Sequence, residues 1–389
     1  MYTLIVQPRS RLFHGHEWVY ASDVKSLQGK PQPGDVVALR DIKGKPLGTA
    51  IYNSNSQIVA RRFSYRKQEL DADFFLRRIE RAVSYRQALD LDSMLCRLVW
   101  SESDGLPGLI VDRYGDHLVV QTLTMAMAQR EDLITAALVE LLKPKSIVAR
   151  NDSPIRKAEG LELEKKMLHG SEPAPFALVS RGLHFQVDLF EGQKTGLYLD
   201  QLDNYAAVAK YAKGKRVLDC FTNQGGFAQA CALAGASEVV AVDVSEPAIE
   251  MTLQNAKRAG VAIGARAENC FDYLKAAEKQ GDLYDLIILD PPSFTKTKQA
   301  LKDALRGYKE IHLRALKMLQ PGGILATFSC SHHVSAGDFR GVITSAAVDS
   351  KRHLRQVEVF SQRPDHPIVC GIPETEYLRG YAVQVMGGW

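Results

Sequence analysis

No stretch of the 389-residue sequence approaches the roughly 18 to 20 consecutive apolar residues that a membrane-spanning helix needs. The start, Met1-Tyr2-Thr3-Leu4-Ile5-Val6-Gln7-Pro8-Arg9, lacks the long apolar core and small-residue cleavage site of a secretory signal. Six cysteines (Cys96, Cys220, Cys231, Cys270, Cys330, Cys370) are scattered without any C-x-x-C spacing, which argues against a zinc ribbon and a secreted disulfide framework. Internal repeats and low-complexity tracts are also missing. With 46% hydrophobic and 24% charged residues the composition is that of folded soluble protein, so disorder is excluded. These absences predict a soluble, cytoplasmic chain of roughly two or three domains without a membrane partner.

The net charge of +4 is small but unevenly placed. Residues 1–70 hold eleven Lys plus Arg against five Asp plus Glu; subtracting these from 49 and 45 leaves 38 against 40 for the remainder. A basic module on a near-neutral body suits a phosphate-rich partner, the alternative being a solvated basic surface. The module reads as short strands near 2–6, 34–40, 47–52 and 58–63, separated by Gly and Pro. From Asp73 apolar residues recur at helical spacing (Phe75, Ile79, Ala82, Val83, Leu89), and a hairpin at 109–122, a helix at 130–142 and a strand at 146–149 complete a mixed unit. Three domains are therefore expected: β-rich 1–70, mixed α+β 71–182, and α/β 183–389.

In the last of these, strands at 216–220, 238–244, 285–290 and 323–329 alternate with helices at 227–234, 247–259 and 301–319, the pattern of an open, mainly parallel sheet. Two closing β-like runs, 354–360 and 381–386, suit an antiparallel hairpin at its edge. Ligands of such sheets bind beyond the carboxyl ends of the strands. After Asp219 the chain runs Cys220-Phe221-Thr222-Asn223-Gln224-Gly225-Gly226 into a helix. The G-x-G-x-x-G fingerprint of pyrophosphate cofactors is absent, and Asp243, 24 residues on, is a carboxylate suited to a ribose diol. These features resemble the first two motifs of class I (Rossmann-like) S-adenosylmethionine-dependent methyltransferases. That resemblance implies a cofactor site built from Asp219, Phe221, Asn223, Gly225, Gly226, Asp243, Ser245, Asn269, Phe271 and Asp290. In it, Gly225 and Gly226 would leave room for the methionine end, and Asn269 with Phe271 would face the adenine. The alternative for the glycines is a packing turn.

The fourth strand runs into Asp290-Pro291-Pro292-Ser293-Phe294, where two prolines force a rigid turn behind a carboxylate. Such D-P-P loops resemble those with which methyltransferases grip a nitrogenous base. The next strand ends in Ser329-Cys330-Ser331-His332-His333. A cysteine there is placed to attack a pyrimidine, because C5 is poorly reactive until a thiolate adds at C6. A buried strand-end cysteine is the alternative. No second ligand cluster accompanies Cys330, His332 and His333, so no metal site is expected.

Several longer stretches then resemble one family: the bacterial RlmI-type large-subunit rRNA cytosine-C5 methyltransferases, which carry an N-terminal PUA domain. They are His16-Glu17-Trp18-Val19-Tyr20, residues 102–114, Lys194-Thr195-Gly196-Leu197-Tyr198-Leu199-Asp200-Gln201, Asp290 to Phe294, Arg306-Gly307-Tyr308-Lys309 and Phe328-Ser329-Cys330-Ser331. The resemblance implies an RNA-binding PUA domain at the N-terminus. It makes Cys330 the nucleophile, gives Asp290 the base edge, and assigns Lys194, Tyr198 and Asp200 to the cofactor pocket. Arg9, Arg11, Arg61, Arg62, Pro291 and Pro292 are the RNA-contact candidates, with large-subunit rRNA as partner and a homodimer left open. Ser293 stands where related enzymes carry a second cysteine, His332 departs from the family pattern, and Trp18 is expected in the core. A purine N-methyltransferase, a uracil-C5 methyltransferase and an inactive RNA-binding assembly factor remain as other readings.

Overall fold

The computed structural model describes residues 2–192, 194–295, 297 and 299–387. It divides into two compact units: 1–176 with 187–199 and 364–376, and 177–186 with 200–363 and 377–389.

In the first unit, alternating apolar residues build a six-stranded sheet in the order Trp18–Tyr20, Ile58–Ser64, Pro46–Tyr52, Val36–Asp41, Tyr2–Val6, Val24–Gln28. The strands at 18–20 and 24–28 are short or polar and escaped the sequence pattern. Asp71 caps the helix Ala72–Ala88 by accepting from the Phe74 N–H at 2.8 Å. That helix buries Phe74, Phe75, Ile79, Ala82 and Val83. A five-stranded sheet follows, ordered Glu164–Gly170, Ser146–Asn151, His117–Thr122, Leu109–Tyr114, Leu95–Trp100. The boundary expected at residue 70 is not a break in the core, since Ile51 and Phe63 pack in one cluster with Phe74, Phe75 and Leu98. Nor does everything beyond 182 stay with the α/β unit, because 187–199 and 364–376 return to the first unit.

The second unit is a seven-stranded sheet. Its strands are β1 Arg216–Cys220, β2 Glu238–Asp243, β3 Gly264–Ala267, β4 Tyr284–Leu289, β5 Leu319–Ser329, β6 Leu354–Ser361 and β7 Arg379–Val385, in the order β3-β2-β1-β4-β5-β7-β6. All pairings are parallel except those of β7, which is antiparallel to both neighbours. The antiparallel hairpin expected at the edge is present, formed by β6 and β7, with its second strand inside and β6 on the rim. Burial explains the choice, because β7 is almost wholly buried while most of β6 is exposed. The helices are α1 Leu202–Ala209, α2 Gly226–Leu233, α3 Glu246–Ala259, α4 Cys270–Gln280, α5 Leu301–Met318 and α6 Ala336–Asp349. Along α5, Ala304, Tyr308, Ile311, His312, Ala315 and Leu316 form the buried stripe. Strand order runs outward to β2 and β3 on one side of β1 and to β5 on the other side of β4, so the crevice at the carboxyl ends of β1 and β4 is where this topology offers a ligand site. Among the described residues, no helix is long and apolar enough to cross a membrane.

Candidate active site

Strand register brings the key carboxylates to one level. Asp219 lies beside Ala241 of β2 and Ile288 of β4, so Asp243 and Asp290 emerge near it at the same sheet edge. The loop leaving β1 holds three left-handed residues, Phe221 (φ 64°), Asn223 (φ 50°) and Gly225 (φ 80°). Two non-glycine residues in that region store backbone strain, a feature concentrated at ligand sites. Side chains hold the loop in shape. The Asp219 carboxylate accepts from the Thr222 hydroxyl at 2.6 Å and the Ala228 N–H at 3.1 Å. Its other oxygen is buried without a donor among the described residues. Burial, then the nearby Asp290 and Asp243 charges, push this carboxyl up to about 7.

Protein side chains pack closely against the two glycines. A Cβ on Gly225 would lie 2.7 Å from the Thr252 methyl, and one on Gly226 would lie 2.4 Å from the Tyr205 ring. Both positions admit close packing of α2 against α3 and α1, and neither side points into open space. Gly226→Ala is expected to cost about 1–3 kcal/mol through this overpacking; a melting curve shifted to lower temperature checks it.

Asp243 is half-buried and takes backbone N–H bonds on both oxygens, from Asn223 at 3.0 Å and Ser245 at 3.0 Å. It thereby ties the β1 loop to the start of α3, and each oxygen keeps further acceptor capacity. Ser245 and Asn269 serve as helix caps: Ser245 accepts from the Ala248 N–H and Asn269 from the Phe271 N–H. Phe221, Phe271 and Phe294 gather with ring centroids 5.7 to 6.5 Å apart, a partly buried aromatic patch at the same sheet edge.

The Asp290 carboxylate is held by the Gln201 amide at 2.9 Å. Gln201 closes the long motif ahead of the sheet, and no local pattern marks it for this role. Pro291 is buried and props the turn, whereas Pro292 is exposed. The Ser293 hydroxyl meets that of Ser331 at 2.9 Å, joining the D-P-P loop to the end of β5. Tyr308, fully buried on α5, reaches Ser329 at 3.0 Å and Ser331 at 3.3 Å through its hydroxyl. Behind it His312 bonds the Thr327 hydroxyl, and burial pulls this imidazole down to about 4, so it is neutral. Cys330 sits between these bonded serines and is half-buried. Cys220, Cys231 and Cys270 are buried, and burial raises the Cys231 thiol while its bond with Cys270 and burial raise Cys220. Cys330 is thus the cysteine of this unit open to a substrate. His332 is exposed, its ring 5.8 Å from that of Tyr377.

Other expected site residues are placed differently. The Asp200 carboxylate is buried and accepts the Tyr377 hydroxyl at 2.6 Å, anchoring the approach to β7. Lys194 and Tyr198 belong to the first unit, with the ammonium 4.2 Å from the ring centroid. Neighbouring Thr195 donates to Asp112 at 2.6 Å, and Asp112 is bidentate with Arg97. Part of the long motif therefore completes a buried network of the first unit. Arg61 and Arg62 are not available to phosphates: both are buried, Arg61 between Glu102 and Glu159, Arg62 against Glu17. Arg11 pairs with Glu374 at 2.9 Å, and Arg9 bonds the Ser22 carbonyl. Trp18 is locked by an indole bond to Glu102 at 2.8 Å.

The site fits a nucleoside-bearing cation. An unsatisfied buried carboxylate oxygen on Asp219 calls for a donor or positive charge, Asp243 can accept hydroxyls, and the phenylalanines offer an apolar face. S-adenosylmethionine carries an ammonium, a sulfonium, a ribose diol and an adenine. The model of an S-adenosylmethionine-dependent methyltransferase family matches residues 162–374, and that of a PUA-like domain matches 7–65. Ribosomal RNA large subunit methyltransferase I of Erwinia tasmaniensis is 40% identical, over 96% of both chains. The enzyme of the same name from Aeromonas salmonicida is 39% identical over 99% of both. The crystal structure of a candidate methyltransferase complexed with SAH superposes with a TM-score of 0.86 at 23% identity, covering 99% of this chain and 100% of that one, a likeness of fold. The chain belongs to the ribosomal RNA large subunit methyltransferase I family, a PUA-like domain followed by an S-adenosylmethionine-dependent methyltransferase domain.

Proposed function

We propose that this enzyme methylates C5 of a cytosine in large-subunit ribosomal RNA, in the cytoplasm, through a covalent adduct with Cys330. The observation that carries the reading is the placement of Cys330, half-exposed at the end of β5 and bound to the D-P-P loop through Ser331 and Ser293. S-adenosylmethionine, when bound, supplies an electrophilic methyl group. Asp219, Asp243 and Phe271 would hold it. Asp290, steadied by Gln201, would fix the base edge so that C6 faces the sulfur.

The Cys330 thiolate adds to C6, the C5=C6 π pair shifts to C4–C5 and the C4=N3 pair moves onto N3, leaving an enamine-like C5 that is nucleophilic. Once C5 carries the methyl group, its proton leaves to a base, the S–C6 bond breaks, and the double bond and thiolate are restored. The target base must be unstacked first, at a cost of a few kcal/mol that RNA contacts offset.

Incubating the enzyme with S-adenosylmethionine and unmodified large-subunit rRNA transcript, then digesting to nucleosides, is expected to yield 5-methylcytidine by mass spectrometry. A product of 5-methyluridine or an N-methylated purine overturns the cytosine-C5 reading, and no product at all overturns the activity.

A further inference from the structure

A cavity of about 380 Å³ in the first unit lies between the strand Ile58–Ser64 and the helix Ala72–Ala88. Arg78, Arg81 and Tyr85 line it from positions i, i+3 and i+7, which is one face of the helix. Its carboxylates are already matched: Glu17 pairs with Arg62, Glu102 with Arg61 and Asp104 with Arg86. Arg78 and Arg81 pair with no carboxylate among the described residues. Arg78 donates to the Phe63 carbonyl at 3.0 Å, and Gly105 closes so tightly over it that a Cβ would lie 2.4 Å from Nη1. Burial and then the charges of Arg81 and Arg77 lower its pKa.

At the cavity rim stands Tyr65, 69% exposed. Its hydroxyl donates to Glu17 at 3.1 Å and accepts from Arg62 at 3.0 Å, while the Arg62 guanidinium lies 4.0 Å from the ring centroid. The ring is thus held at a fixed angle with most of its surface open. A fixed aromatic ring beside unneutralised guanidinium groups is how proteins hold single-stranded nucleic acid, the ring stacking a base and the charges meeting phosphate.

We propose that this cavity binds a nucleotide of single-stranded RNA, its phosphate on Arg78 and Arg81 and its base on Tyr65. The proposal rests on the reading that the substrate is RNA. It moves the phosphate contacts from Arg61 and Arg62, which are paired internally, to the helix that follows the PUA-like domain.

The test uses the full chain, a fluorescent dodecauridylate for binding and rRNA transcript for methylation. Arg81→Glu, which breaks no side-chain bond among the described residues, is expected to weaken oligonucleotide binding at least tenfold. The slope of log affinity against log salt should become shallower by about one or more. The KM for transcript should rise with kcat nearly unchanged, and Arg81→Lys should restore most of the affinity. Tyr65→Ala is expected to weaken binding several-fold without changing the salt slope. Binding and KM within twofold of wild type in both Arg81→Glu and Tyr65→Ala, with normal melting and cofactor affinity, overturn the site. So does equal displacement of the oligonucleotide by polyglutamate, which would mark an acidic protein surface as the occupant. If wild type binds the oligonucleotide in an Arg81-dependent way yet methylates no RNA, the cavity stands and the enzymatic reading falls; methylation insensitive to both variants gives the converse.

Discussion

Cys330→Ala is expected to abolish methyl transfer, by more than about 10⁴-fold, a loss typical of removing a covalent nucleophile. Cofactor and RNA affinities should stay within about twofold of wild type. Roles are separated at the end of β5. Ser329 and Ser331, on either side of Cys330, carry the bonds to Tyr308 and Ser293, so truncating the thiol leaves that framework in place. What is lost is the adduct, without which C5 of cytosine is too weak a nucleophile. RNA carrying 5-fluorocytosine at the target should trap the wild-type enzyme as a covalent complex, because fluorine at C5 blocks the final proton loss. The trapped species should be missing with Cys330→Ala. An amine-methylating enzyme behaves in the opposite way, tolerating the substitution and forming no adduct. Tritiated methyl incorporation into RNA above a tenth of the wild-type rate in Cys330→Ala would therefore remove the C5 mechanism.

Much of this site could be read from the amino acids because it lies where parallel strands end. Strands buried on both faces are continuous apolar runs, such as Leu286-Ile287-Ile288-Leu289, and their first polar residue is the functional edge. This pattern marks Asp219, Asp243 and Asp290, whereas Cys330 lies beyond Thr327 and Ser329 and is marked only by its residue type at a strand end. The hairpin insertion was less accessible: local pattern marks 379–385 and 354–361 as strands, and only the difference in burial decides which one lies inside. Gly225 and Gly226 show a different limit. A glycine reports that a Cβ is unwelcome, but whether protein or ligand excludes it depends on Thr252 and Tyr205, residues brought in from other helices. Arg61 and Arg62 look like surface charges locally. The Arg61 partners Glu102 and Glu159 are 41 and 98 residues away and the Arg62 partner Glu17 is 45 away, and no periodicity reveals such pairs. The hydroxyl chain from Tyr308 through Ser331 to Ser293 is invisible for the same reason, although all three of its members sit in family-like stretches.

Asp243→Ala is expected to lower S-adenosylmethionine affinity at least about a hundredfold. Hydrogen bonds to a charged group contribute roughly 1.5–3 kcal/mol each, and a ribose diol would place two hydroxyls on this carboxylate. The substitution also frees the Asn223 and Ser245 N–H groups that Asp243 now holds at 3.0 Å each. The β1 loop, with Phe221 and Asn223 in left-handed backbone, loses the restraint that keeps it strained. Two consequences follow with different signatures. Lost ligand bonds appear as lost affinity alone, whereas a relaxed loop also shifts the melting temperature of the free protein. Asp243→Asn is the intermediate case. Its amide oxygen can still accept from one backbone N–H, but its NH₂ group faces the other, so loop restraint and diol binding are both halved rather than removed. Calorimetry on the three proteins should rank affinity as wild type, then Asn, then Ala, with binding to the dodecauridylate unchanged throughout. Affinity within threefold of wild type in a folded Asp243→Ala protein would show that the ribose is held elsewhere, and would leave Asp219 as the carboxylate on which cofactor binding depends.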